Sequence, residues 1–258
     1  MRSLTEHRDT ILASIPQLAP ADVPLADCLG LITTQDVRAR VQLPGFDNSA
    51  MDGYAVRAED VAGASAATPV VLTVVGEVAA GADASSLWVH RGEAARIMTG
   101  AMIPIGCDAV VMVERTDGGL DRVSVFEPVA AGRSIRPAGE DVEYDAVVIP
   151  AGSRVNARTL ALAASTGHGS LRVRPRVAVA VVSTGDELVP PGEALRLGQI
   201  HESNSVMLAA AIETLGGTVI ASVSAGDDPQ AFVELLTGLA GECDAIVTSG
   251  GVSMGVHD

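Results

Sequence analysis

Three features of the sequence predict an α/β plus β chain of more than one domain. A helix with a capping box opens it, a run of short β-rich segments broken by Gly, Pro and Asp extends from Pro44 to Ala138, and strands alternate with helices from Pro175 onward. Its 258 residues exceed what one core usually organises. Hydrophobic residues reach 48% while aromatics are only 2%, so the core must be Ala, Val, Leu and Ile, which suits strands and the helices covering them. The expected division is a split helical/β linking domain at 1–43 and 139–174, an inserted all-β module at 44–138, and a parallel-sheet βαβαβ domain at 175–258.

The elements follow in order. Ser3 and Glu6 form a capping box, and Leu4, Ile11, Leu12 and Ile15 share one helical face until Pro16 ends it. Strands are expected at 70–75, 94–98, 109–113 and 122–126, each bounded by turn residues, and another at 146–149. A helix at 156–165 has Gly167 as its stop. Then come a strand at 176–182, a helix at 204–215 closed by Gly216-Gly217, a strand at 218–223, a helix at 229–240 with Pro229 in first position, and a strand at 245–249. These strands are nearly continuous in Val, Ala and Ile, as burial on both faces requires. The parallel domain reads as incomplete at its C-terminus, because no covering helix follows the third strand before Asp258.

Composition excludes several functions. A net charge of −15 opposes sequence-independent nucleic-acid binding, which is driven by counterion release onto basic side chains. All 17 basic residues are Arg, so within these residues neither a Walker A loop nor a Schiff-base lysine exists. The histidines His7, His90, His168, His201 and His257 lack the H-x-x-x-H spacing of a zinc hydrolase. Cys28, Cys107 and Cys243 are far apart and read as small hydrophobes. No apolar run approaches the roughly 20 residues of a membrane span, and no signal-peptide core follows Met1, so a cytoplasmic protein without a membrane partner is expected.

In an open parallel sheet, ligands bind beyond the carboxyl ends of the strands, so the segments there are the informative ones. They are Ser183-Thr184-Gly185-Asp186-Glu187, Gly226-Asp227-Asp228, and Ser249-Gly250-Gly251-Val252-Ser253-Met254-Gly255. The glycine loop at 249–255 can present consecutive N–H groups to a phosphate, or it can simply reverse the chain. Asp186, Glu187, Asp227 and Asp228 on one rim would repel each other unless a divalent cation such as magnesium sat among them; the alternative is that Asp186 and Asp228 cap turns or helices. Three more polar clusters lie at 44–56, 96–100 and 134–141. The first reads equally as a surface hairpin loop, and Arg133 and Arg136 read as an oxyanion clamp or as solvated arginines.

Pro-Gly-Phe-Asp-Asn-Ser-Ala-Met-Asp-Gly-Tyr-Ala-Val at 44–56 resembles the signature of the MoeA-type molybdopterin molybdenumtransferases and the gephyrin E domain. So do Arg-Ile-Met-Thr-Gly at 96–100, Gly-Glu-Asp at 139–141, Ser-Thr-Gly-Asp-Glu-Leu at 183–188 and Ser-Gly-Gly-Val-Ser at 249–253, in the family's order. The resemblance implies an elongated homodimer whose active site joins the pterin domain of one subunit, here 175–258, to the β module of the other. It implies catalytic roles for Asp52, Thr99, Asp141, Glu187, Asp227 and Asp258, with Glu187, Asp227 and Asp258 also holding magnesium. Thr184, Gly185, Ser249, Gly250, Gly251 and Ser253 are the matching pterin-binding positions. Asp227 rather than Asp228 is chosen as the first acid of the family's Asp-Asp-Pro.

The reaction so implied takes adenylylated molybdopterin, with molybdate (or equally tungstate) as second substrate, and releases AMP as the dithiolene captures the metal. The adenylyltransferase of the preceding step is a further partner in this reading. The family's continuation beyond the pterin loop, with a Lys-Pro-Gly-Lys-Pro segment and a small β-barrel, is not in these residues. Two rivals remain: a non-catalytic scaffold like gephyrin's receptor-anchoring E domain, and a nucleotide-cleaving relative of the pterin domain, in which the 44–56 motif is not expected.

Overall fold

The structure, a computed structural model, describes residues 2–250. The chain forms two compact units, one of residues 36–150 and 158–169, the other of residues 1–35, 151–157 and 170–258.

The first is built on a five-stranded sheet of β1 (Gly53–Val56), β2 (Val70–Val78), β3 (Glu93–Ile97), β4 (Ala109–Met112) and β5 (Arg122–Val125), in the order β4-β1-β3-β2-β5. All four residues of β1 are buried, as the strand pairs on both sides. Tyr54 fills the centre of one face against Val56, Leu72, Val111 and Val123, and its hydroxyl donates to the Gly119 carbonyl at 2.9 Å. That bond satisfies the one polar atom such a ring carries into a core. β2 continues to Val78, three residues past the strand expected at 70–75. The register shifts between Val74 and Gly76, and the bulge lets pairing resume beside the Leu87 side chain. β2 and β3 are parallel although only loop residues join them.

In the same unit Val37–Arg38 pairs with Val147–Ile149, and the Arg40 amide donates to the Thr166 carbonyl just past the second helix (Ala157–Ser165).

The other unit opens with α1 (Leu4–Ser14), whose capping box is formed as its sequence requires: the Ser3 amide donates to Glu6, and the Glu6 amide to the Ser3 hydroxyl. Its apolar residues are exposed, Leu4 at 87% and Leu12 at 60%. Ala21–Pro24 and Ile32–Thr33 flank Ser170–Arg174 in an antiparallel sheet. With Ala157–Ser165 counted as α2, the parallel sheet follows: β6 (Ala178–Thr184), α3 (Asn204–Thr214), β7 (Thr218–Ala225), α4 (Pro229–Leu239) and β8 (Ala245–Ser249), with strand order β7-β6-β8.

β6 runs two residues later than the expected 176–182. Arg176 stands outside it, its guanidinium donating to the Leu29 and Gly216 carbonyls, while Ser183 and Thr184 pair with Ser224 and Ala225. Central β6 is buried, whereas β7, an edge strand, alternates between exposed and half-buried. Among the described residues no helix is long and apolar enough to cross a membrane, and the three cysteines are free. Burial pushes the Cys107 thiol up to about 12, the state of an inert core thiol.

Packing around β1 is tight enough to test. A Cβ at Gly53 would overlap the Val111 carbonyl oxygen, while one at Gly63 meets nothing within 4 Å. Gly53→Ala should therefore cost about 3 kcal/mol in urea unfolding, and Gly63→Ala should leave stability within about 1 kcal/mol of the parent.

Candidate functional site

The order β7-β6-β8 places the first parallel strand in the middle, so the chain leaves β6 toward one side and later returns to the other. In such sheets the crevice opens beyond the carboxyl ends of the strands where the order reverses, here between β6 and β8. Ser183 and Ser249 are register partners across that pair. The Thr184 hydroxyl donates to the Ser249 carbonyl at 3.5 Å, and Gly250, with φ +106°, packs so closely on Thr184 that any Cβ would collide with it. Glycine is thus the one residue that continues this turn without displacing Thr184.

Glu187 and Asp227 share this rim, since β6 and β7 are parallel with Thr184 opposite Ala225. The Gly185 amide donates to the Ala225 carbonyl at 3.1 Å, and the Glu187 carboxylate folds over Gly185, where a Cβ would strike it. The Asp227 amide donates to Asp186 at 3.2 Å, and a Cβ on Gly226 would lie 2.7 Å from the same oxygen. Asp228 is the N-cap of α4, accepting from the Gln230 amide at 2.9 Å. Asp186 and Asp228 thus act in turn and cap. Glu187 and Asp227 are exposed, with no protein donor to either carboxylate among the described residues. Their open oxygens are the hard donors magnesium prefers, although no three of His, Cys, Asp and Glu group together among the described residues. Gly251, Ser253 and Asp258 lie outside them.

In the other unit, three motifs meet. Asn48–Ser49 pairs with Ile135–Arg136, the Ser49 carbonyl accepts from the Gly100 amide at 2.8 Å, and the Asp47 carboxylate accepts from the Ala138 amide at 2.8 Å. The Asp52 carboxylate accepts from both the amide and the hydroxyl of Thr99, at 2.7 and 2.9 Å. The Thr99 amide first, then its hydroxyl, hold the Asp52 carboxyl below the usual carboxylate range. Both bonds use Oδ1, leaving Oδ2 open. Asp141 is exposed and tied through its amide to the Leu43 carbonyl at 2.9 Å. Arg133 and Arg136 are exposed.

Sequence reasoning overlooked one cluster at the rim. Leu188–Val189 pairs with Ile200–His201 and leads Glu202 under the sheet end, where it is 6% exposed. Its carboxylate accepts from the Ser183 hydroxyl and the Ser205 amide, both at 2.9 Å, and from the Ser205 hydroxyl. Burial works to raise its pKa, but the Ser205, Ser183 and Asn204 donors outweigh it and the net shift is downward. The signal was the polar string His201-Glu202-Ser203-Asn204-Ser205 immediately before an apolar helix, read only as a helix start.

A multidomain α/β chain with a parallel-sheet crevice of this kind has known counterparts. Residues 2–167 match the family described as "MoeA N-terminal region (domain I and II)", and residues 180–258 match the "Probable molybdopterin binding domain". The chain belongs to the MoeA family. It is 46% identical over all 258 residues to "Molybdopterin molybdenumtransferase 2" of Mycobacterium tuberculosis, covering 64% of that protein. With the molybdopterin molybdenumtransferase of Synechococcus elongatus it shares 39% identity over 97% of its length and 63% of the relative's. The crystal structure of a molybdopterin biosynthesis MoeA protein from Pyrococcus horikoshii superposes with a TM-score of 0.80 at 35% identity, covering 97% of this chain and 64% of that one. The chain thus spans under two thirds of the length of these relatives.

The Asp52–Thr99 pair carries a measurable signature. Thr99→Ala should raise the Asp52 carboxyl pKa only partway to its ordinary value in a 13C NMR titration, because the backbone N–H remains. A full return would show that the hydroxyl, not the amide, governs it.

Proposed function

We propose that this chain provides the substrate-holding part of a molybdopterin molybdenumtransferase, which inserts molybdate into adenylylated molybdopterin with release of AMP. The observation carrying the reading is the switch point of the sheet, where a glycine-and-hydroxyl turn and two donor-free carboxylates stand beyond the carboxyl ends of adjacent parallel strands. The naming of the curated relatives supports the same reaction.

In this mechanism Ser249 and Gly250, at the end of β8, and Thr184 and Gly185, at the end of β6, offer hydroxyl and N–H donors to the terminal phosphate of the pterin, and the sequence adds Gly251 and Ser253 to that set. Asp52, ionised at neutral pH and held through Oδ1 by Thr99, keeps Oδ2 free to orient a water or a substrate hydroxyl. Asp141 and Asp258 are included as the remaining acids of the family set. Glu187 and Asp227, with Asp258 as the third acid of the family set, would hold a magnesium ion, which would supply charge neutralisation at the pyrophosphate. The dithiolene, not the protein, contributes the ligands for molybdenum.

The subdivision into 1–43 with 139–174, 44–138 and 175–258 belongs to this proposal. So does a cytoplasmic homodimer in which the Asp52–Thr99–Asp141 cluster of one copy complements the rim of the other. The exposed apolar face of α1 is consistent with such association.

The test is incubation of the full-length protein with adenylylated molybdopterin, molybdate and magnesium, scoring AMP. Glu187→Ala and Asp227→Ala should remain folded, since both side chains are exposed, and release AMP at least about a hundredfold more slowly. Retained activity in both variants would remove the rim acids from the mechanism. Light scattering of the full-length protein at micromolar concentration should give twice the monomer mass; a monomer would refute the shared site.

A further inference from the structure

The buried Glu202 needs a reason. Among the described residues it has no cationic partner, only hydroxyl and amide donors, and a charge taken out of water is costly unless its lone pairs are filled. It takes over a capping bond of α3, accepting from the Ser205 amide where the N-cap Ser203 makes no side-chain bond, but a serine could perform that task at the surface. What Glu202 does beyond capping is link two walls of the crevice. The Ser183 hydroxyl reaches it from the end of β6, and the Ser205 amide and hydroxyl reach it from the first turn of α3. Asn204, on that same turn, extends the link to the third wall: its Nδ2 donates to the Ser249 hydroxyl oxygen at 2.7 Å, at the end of β8. A hydroxyl that accepts from an amide keeps its own hydrogen as a donor.

We propose that Glu202 and Asn204 are positioning residues for the crevice: Glu202 clamps the first turn of α3 to the end of β6, and Asn204 thereby holds the Ser249 hydroxyl as a hydrogen donor toward the anionic group of a bound pterin. This rests on the reading of the crevice as the site for a phosphorylated pterin. The chemistry favours an anion because Ser249, so held, has its hydrogen free to donate at the turn where Gly250 bares the backbone.

The experiment is equilibrium binding of adenylylated molybdopterin to the full-length protein, read alongside thermal unfolding. Asn204→Asp is the informative variant. A carboxylate at the first helical position is favoured by the helix dipole, so the fold should be as stable as the parent. Yet Asp can only accept from Ser249, which takes up the hydrogen meant for the ligand, and affinity should fall roughly tenfold or more. Asn204→Ala, which frees Ser249 to rotate, should lose less. In the Ser249→Ala background Asn204→Ala should cost little more, since those two changes remove one interaction, whereas the charge of Asn204→Asp would act there too. Glu202→Gln should behave likewise, placing a donor where Ser183 and Ser205 already donate; if that variant fails to fold, the Asn204–Ser249 cycle still decides. Parent-like affinity for Asn204→Asp, or full additivity of Asn204→Ala with Ser249→Ala, overturns this inference while leaving the functional reading standing. Absence of binding by the unsubstituted protein overturns both.

Discussion

The parallel register that places β6 between β7 and β8 is the constraint on which the rim depends. Because Thr184 stands opposite Ala225 and Ser183 opposite Ser249, three separate sequence segments end at one edge of the sheet. A register slip on either side would move Asp227 or Gly250 along that edge, and in a strand it would also exchange faces. Slippage is resisted by polar ties at both ends of β6. At its start the Ala178 amide donates to Asp244 at 2.8 Å and the Thr218 amide donates to the Val177 carbonyl; at its finish lie Ser183–Glu202 and Thr184–Ser249. The strand interior is Ala and Val, buried throughout, and these end ties add polar specificity to its packing.

The other unit solves a similar problem differently. Its motifs at 44–56, 96–100 and 134–141 are loops, and what assembles them is backbone bonding to a few side chains that carry little chemistry themselves. Ser49 is fully buried; its carbonyl takes the Gly100 amide, its amide gives to Ala101, and its hydroxyl gives to the Met51 carbonyl at 2.5 Å. Asp47 brings in Ala138. The Asp52–Thr99 pair is an exposed outcome of this scaffolding, and Asp52 is set between Ser49 and Gly53, both buried.

Sequence periodicity revealed the helices and parallel strands to within about two residues, because those elements are long and their apolar patterns are regular. It was less informative where a local defect matters, as at Gly76, where a bulge carries β2 past the glycine that suggested a strand end. The position of Thr184, Asp227 and Ser249 at one end of the sheet was legible because the alternation of strands and helices sets which segments follow the parallel strands. Glu202 was not, since a carboxylate before a helix is usually solvated or a cap, and only the pairing of Leu188–Val189 with Ile200–His201 turns it inward. The convergence of three loops around Asp47 and Ser49 was equally illegible, as it depends on contacts between residues some 50 to 90 positions apart.

The acids of this strongly anionic chain separate by what fills their lone pairs. Asp47, Asp108, Asp117, Asp228, Asp244 and Glu202 each accept from backbone amides or hydroxyls and so hold segments together. Such bonds favour the ionised form and make the charge useful to the fold. Glu187 and Asp227 receive none and depend on water. A ligand closing over the rim would strip that water from two neighbouring negative charges while bringing phosphate charge of its own, which is unfavourable unless a cation arrives with it. Asp52 stands between these groups, one oxygen committed to Thr99 and one open. The same chemical group therefore serves as mortar where the chain supplies donors and stays open to solvent at Glu187 and Asp227, which follow two adjacent parallel strands.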